Sequence, residues 1–128
     1  MGYRRGTLPE LPSRPSELVE AAWKPVRHHF GIRAFGVNGY VAEAPGQLVI
    51  EVHSEDESGF EELYVVLAGV ARFEVDGDSF DAPAGTLVYV EPESERGAWA
   101  KNAGTAVLAV GAVKGKAFTM SDWEQRLL

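Results

Sequence analysis

Glu51, His53 and Glu55 alternate along one short stretch of the chain. In an extended strand, residues two apart share a face. One imidazole and two carboxylates on one face form a set of metal ligands. Glu62, at the head of the next β-rich run, would add a third carboxylate, and Tyr64 would share its face. One histidine with two or three carboxylates suits an octahedral divalent ion such as Mn²⁺ or Fe²⁺. A site with two histidines would need His28 or His29. These are adjacent, so at most one of them faces inward from a strand. The same residues also have a structural reading: solvated carboxylates, an ordinary strand histidine, and a Glu62 whose charge is met by a salt bridge. Tyr64, Phe73, Tyr89 and Trp99 read as core or pocket wall, with Trp99 the one expected to touch a ligand.

Other chemistries find no support. The chain has no cysteine, which excludes disulfides and thiolate metal sites. The serines fall in expected turns without a Gly-x-Ser-x-Gly elbow. Gly36-Val37-Asn38-Gly39 reads as a turn or bulge rather than a phosphate loop.

The elements that would position these residues are short and β-rich. Prolines at 9, 12 and 15 suit an extended arm. Ser16 reads as the cap of a short helix through Trp23, ended by Lys24-Pro25. From Val26 the pattern reads as β, broken by glycines that suit bulges or barrel corners. Strands are expected at 48–53, 62–67, 71–75, 86–91, 98–101 and 105–113. Turns fall at Pro45-Gly46, Asp76-Gly77, Pro83-Ala84-Gly85 and Asn102-Ala103-Gly104. An acidic loop, SEDESG, follows His53. The tail from Ser121 reads as one helical turn or a docked arm. Strands with turns about every ten residues indicate an all-β sandwich or barrel. The expected organisation is one domain: an arm and short helix over 1–25, a barrel over 26–120 and a tail over 121–128.

With these residues the chain resembles the cupins, small jelly-roll barrels. Glu62 and Gly69 match the second half of the first cupin motif. Gly46 and His53 match its start with one extra residue between them, and Glu55 takes the place of the second histidine. Gly85 begins the second motif and Pro92 arrives one residue late. Arg96 falls where that motif has a histidine. The resemblance implies an all-β jelly-roll barrel with a degenerate metal site. A guanidinium stays protonated and cannot ligate a metal. Beside Glu62, Arg96 would do a metal's electrostatic work through bidentate hydrogen bonds. Metal-dependent oxygenases, isomerases, sugar-binding domains and storage proteins all share the fold, so the resemblance by itself implies no single activity.

Composition bounds the rest. The chain has 128 residues, 45% of them hydrophobic, and a net charge of −7. The acidic balance disfavours nucleic acid, and no apolar run is long enough to span a bilayer. The N-terminal segment lacks the apolar h-region of a secretory leader, so a cytoplasmic protein is expected. The leading expectation is a barrel that binds a small polar or anionic molecule, in a pocket of Glu62, Tyr64, Arg96, Trp99, Tyr89 and Phe73. Arg72 or Arg33 would assist Arg96 in holding the anion. The alternative is a metal-dependent isomerase or oxygenase using His53, Glu55 and Glu62 with Mn, Fe, Ni or Zn. A homodimer is expected, and a third reading is a structural or stress-related homodimer without ligand, whose N-terminal arm pairs with a neighbour's sheet edge.

Overall fold

The computed structural model describes residues 2–128. Among the described residues, nine strands form two antiparallel sheets that face each other as a jelly roll. The strands are β1 (Ala22–Lys24), β2 (Gly36–Val41), β3 (Leu48–His53), β4 (Phe60–Ala68), β5 (Val70–Val75), β6 (Asp78–Pro83), β7 (Leu87–Val90), β8 (Arg96–Ala100) and β9 (Ala106–Val113). One sheet runs β1-β2-β9-β4-β7 and the other β3-β8-β5-β6. Alternation places Tyr64 and Val66 of β4, Ala71 and Phe73 of β5, Ala98 and Ala100 of β8, and Val107 and Ala109 of β9 in the shared interior, all buried.

Tight turns set the registers. Asp76, at φ 49°, and Gly77, at φ 87°, take the left-handed conformations of a two-residue hairpin, so β5 and β6 pair in register from Val75↔Asp78 to Val70↔Pro83. Gly69, at φ 68°, joins β4 to β5 where a Cβ would come within 2.5 Å of the buried Thr105 hydroxyl oxygen.

Near the N-terminus the structure departs from expectation. The segment 16–23 is not a helix. Ala22–Lys24 is a strand, with Trp23 opposite Tyr40 of β2. Trp23 is buried and its indole N–H donates to the Asn38 side-chain oxygen at 2.9 Å. The buried Lys24 ammonium donates to the carbonyls of Pro9 and Leu11. These distant partners override a local helical pattern. The helix lies instead at α1 (Val26–Phe30), where β was expected. Pro25 precedes it and Gly31, at φ 70°, closes it in the left-handed conformation. At the other end the tail does form a helix, α2 (Asp122–Leu127), which begins after Ser121. No helix among the described residues is long and apolar enough to cross a membrane.

Candidate functional site

A cavity of about 100 Å³ opens at one end of the roll. Its walls come from β2, β3, β4 and β9. Two segments outside the roll cover it: Ser16, Leu18 and Val19 of the N-terminal arm, and Phe118, Ser121, Trp123 and Glu124 of the tail. The cover is held by specific contacts. The Trp23 and Trp123 rings lie 5.4 Å apart, and Phe118 meets Phe60 edge-on at 6.1 Å. The buried Glu124 carboxylate pairs with Arg27 at 2.5 Å and accepts from the Asn38 amide at 3.3 Å. Ser121 makes no side-chain cap bond to its helix and lines the cavity instead.

On the opposite wall, His53, Glu55 and Glu62 converge. One ligand atom from each lies within 4.8 Å of the others. Two local features bring them together. First, β3 departs from regular pairing with β8 between Leu48 and Ile50 and again between Ile50 and His53. Such irregularities re-aim side chains, so Ile50, Glu51 and His53 all line the cavity even though Ile50 and Glu51 are neighbours. Second, the acidic loop after His53 folds back on itself. The Glu55 amide donates to the Pro92 carbonyl at 2.7 Å, and the Ser58 hydroxyl donates to the Glu55 carboxylate at 2.6 Å. Glu55 is thereby turned inward while Asp56 stays exposed.

The hydrogen bonds in the cluster prescribe its electrostatics. His53 Nδ1 lies 2.6 Å from the Glu51 carbonyl and donates to it, which leaves Nε2 facing Glu55 at 2.7 Å and Glu62 at 3.6 Å. Burial disfavours the imidazolium, but hydrogen bonds to Glu55, Glu62 and the Glu51 carbonyl outweigh it and push the His53 pKa up to about 10. Burial pushes Glu55 the other way, but its bonds to His53 and Ser58 prevail and hold it below the usual carboxylate range. The Tyr64 hydroxyl donates to Glu62 at 2.6 Å, and burial together with the Glu62 charge raises its pKa well above normal. Tyr40, also facing the cavity, is raised by burial and by Glu62.

This donor set fits a divalent ion. A carbonyl already fixes the histidine's other ring nitrogen, as in many metal-bound histidines, and both carboxylates are oriented by hydroxyl donors. Without an ion the same atoms form a self-contained ion-pair cluster.

The structure places the other expected pocket residues elsewhere. Arg96 lies opposite His53 in register and is completely buried, yet it does not pair with Glu62. Its guanidinium donates to the Glu91 carbonyl at 3.1 Å, and its Nε and Nη1 meet no partner among the described residues. It is not among the residues that line the cavity. Three further expected pocket residues lie elsewhere, two of them through strand parity. Phe73 faces the interior but sits deep in the core, between Tyr64 and Phe80. Trp99 points away from the interior, beside Gly97, where a Cβ would come within 2.8 Å of the Val52 side chain. Tyr89 is 56% exposed on the outer face of β7, and its hydroxyl donates to Glu61. His28 and His29 are exposed on α1, outside the cavity. Arg72 pairs with Asp81 at the surface and Arg33 is exposed, so neither can assist in holding an anion. Sequence reasoning missed Tyr40, Asn38, Phe118, Trp123 and Glu124. The only local hint of the last two was the tail's helical signal.

No family model and no curated protein matches the chain. Solved structures do. A protein described as a predicted oxalate decarboxylase from Thermotoga maritima superposes with a TM-score of 0.64 at 22% identity, over 84% of this chain and 96% of the other. KdgF from Halomonas gives 0.67 at 14%, over 89% and 94%. An RmlC-like cupin from Desulfovibrio desulfuricans gives 0.54 at 28%, over 62% and 73%. Such likenesses carry the fold.

Proposed function

We propose that this cupin barrel holds a divalent metal ion at His53, Glu55 and Glu62 and presents it to a small molecule in the covered cavity. The observation that supports the reading is the convergence of three ligand atoms within 4.8 Å on the cavity wall, with the histidine already oriented through its far nitrogen. Among Mn, Fe, Ni and Zn, a set with two carboxylates to one imidazole favours the harder Mn²⁺ and Fe²⁺. A bound ion would supply Lewis-acid polarisation of an oxygen on the ligand. An isomerase or oxygenase activity would build on that polarisation. Binding without turnover would need only the ion and the walls. The proteins of similar fold carry different activities in their names, so the shared fold selects no single reaction.

The test is metal analysis of untagged protein purified without chelator, with thermal melting after addition of Mn²⁺, Fe²⁺, Ni²⁺ or Zn²⁺. The expected result is a rise in melting temperature that is absent from His53→Ala and Glu62→Gln. No shift with any ion, and no bound metal, would sink the reading. A metal-free reading has one observation in its favour: the 2.7 Å contact of His53 with Glu55 completes the cluster without an ion. In that case the cavity binds its ligand by shape and hydrogen bonds alone.

A further inference from the structure

A sheet edge carries a row of unpaired backbone N–H and C=O groups, which a fold must cover or blunt. Among the described residues the two sheets end on β1, β7, β3 and β6. Three of these edges are managed. Arg14 of the N-terminal arm bridges to Trp23 and covers β1. The arm's Glu20 and Ala21 amides donate to the Leu48 carbonyl at the start of β3. The edge strand β6 carries Asp78, Asp81 and a terminal Pro83. The strand β7 differs. It is hydrogen-bonded to β4 alone, and its outward side chains are the exposed Leu87 and Tyr89.

The outer face beside that edge is apolar as well. Register sets Leu63 across from Tyr89 and Val65 across from Leu87, with Val110 and Leu108 of β9 on their other side. Leu87 is 64% exposed and Leu67 48%. Towards β2 the same face is covered. Leu8 packs so closely over Gly39 that no Cβ would fit there, and the Lys24 ammonium ties down the Pro9 and Leu11 carbonyls. The arm that the sequence offered to a neighbour is therefore spent on its own sheet. It leaves the β9–β4–β7 half of the face bare.

Leu63, Leu67, Leu87 and Tyr89 expose on the order of 400 Å² of apolar surface, a size that marks an interaction site. A second copy of the chain suits it for two reasons. It brings the same bare edge, and two β7 strands related by a two-fold axis run antiparallel and can pair. Its charges also fit. Carboxylates gather at one end of the patch, where Tyr89 donates to Glu61 with Glu91 and Glu93 close by. The other end, Gly85-Thr86-Leu87, is uncharged. An antiparallel two-fold sets each acidic end against a neutral one, whereas a parallel arrangement would stack like charges.

We infer that the chain forms a two-fold dimer through β7 and the bare outer face of β4 and β9, with Leu87 and Tyr89 at its centre. The flanking Val65, Leu108 and Val110, together with the edge itself, bring the contact to roughly the 800 Å² per partner of a standard interface. This face lies outside the roll, so the inference is independent of the metal reading.

Sedimentation of the full chain across a concentration range tests it. The expected result is a dimer at micromolar concentration. Leu87→Glu should weaken it at least about thirtyfold. Val52→Glu, at an exposed position on the other sheet, should not. The chain has no cysteine, so single Leu87→Cys and Val52→Cys variants treated with a short bis-maleimide report the contact directly. Only the first should give a covalent dimer. A wild type that stays monomeric up to roughly 100 μM overturns the inference. So does a dimer that a folded Leu87→Glu protein keeps, or equal cross-linking at both positions. If Leu87→Glu fails to fold, the cross-linking decides. A monomer that binds a hydrophobic dye at Leu87 assigns the face to another partner and overturns the inference too.

Discussion

Two glutamates line the same cavity and have opposite uses. Glu124, from the tail, is buried and fully engaged: Arg27 takes one oxygen at 2.5 Å and Asn38 the other. Glu62, from β4, is partly open. Tyr64 donates to one of its oxygens, which lies 3.6 Å from His53, and its group faces free volume. A buried carboxylate with both oxygens engaged is a structural fastener. One held in place by a single donor and turned towards a cavity keeps capacity for a ligand or an ion. The tail therefore supplies closure and the β3–β4 wall supplies chemistry.

The largest effect that could break this comparison is on stability. Glu124→Ala leaves Arg27, whose side chain is 13% exposed, without its carboxylate partner and the Asn38 amide without its acceptor. Breaking a buried pair costs about 3–5 kcal/mol. Urea unfolding should show a loss of that order, whereas Glu62→Gln should stay within ~1.5 kcal/mol because it keeps the hydrogen bond from Tyr64. Equal losses for the two variants would mean that Glu62 is as structural as Glu124.

A pH profile sharpens the same contrast. His53 carries the pH dependence of the cluster. Its pKa is about 10 in the fold against about 6.5 unfolded. A raised pKa means that the folded state holds the proton more tightly. The stabilisation is therefore fully present below pH 6.5 and is lost as pH rises through 10. Metal-free protein should lose stability across that window with a slope of at most ~1.4 kcal/mol per pH unit, reduced because the side chain is 26% exposed. Metal affinity should move the opposite way over the same range, since an ion needs the neutral imidazole. His53→Gln should flatten both trends. A wild-type profile flat from pH 6.5 to 10 would place the imidazolium outside the cluster.

What could be read from the sequence divides along the same line. Strand 48–53, the Asp76-Gly77 hairpin and the tail helix were legible because local chemistry decides them. Glu51, His53 and Glu55 do line one cavity, but through the irregular pairing of β3 and the fold-back of the loop rather than a period of two. The strand β6 was not named although its turn was: Asp78–Pro83 is a mostly exposed edge with polar residues and a terminal proline. The strand at Trp23 was misread as helix because its reasons, Asn38 and the carbonyls of Pro9 and Leu11, lie elsewhere in the chain. The cavity's cover was invisible for the same reason. Trp123 and Glu124 acquire a role only once the tail has docked. Trp99 and Tyr89 were lost to parity, since a shift of one residue moves a side chain to the other face of a sheet.

Arg96 is the residue whose position was legible and whose partner was not. The cupin resemblance put it at the second motif's histidine position, beside Glu62, and the register sets it across from His53. A salt bridge to Glu62 would have made Arg96 costly to remove. Instead one nitrogen reaches the Glu91 carbonyl, and Nε and Nη1 are buried without partners. Deleting the whole group removes one hydrogen bond and two unsatisfied donors together, and these terms oppose each other. An apolar side chain of similar length often replaces such a buried charge at no cost. Arg96→Met should therefore shift stability by less than ~1 kcal/mol in either direction. It should also bring Glu55 closer to an ordinary carboxylate, because the Arg96 charge helps hold Glu55 low. With that competing cation gone, the triad should bind Mn²⁺ more tightly than in the wild type. The readouts are the urea midpoint and a Mn²⁺ titration of one variant. A loss of several kcal/mol would show Arg96 to be a fastener of the Glu124 kind, and an unchanged Mn²⁺ affinity would remove it from the electrostatics of the site.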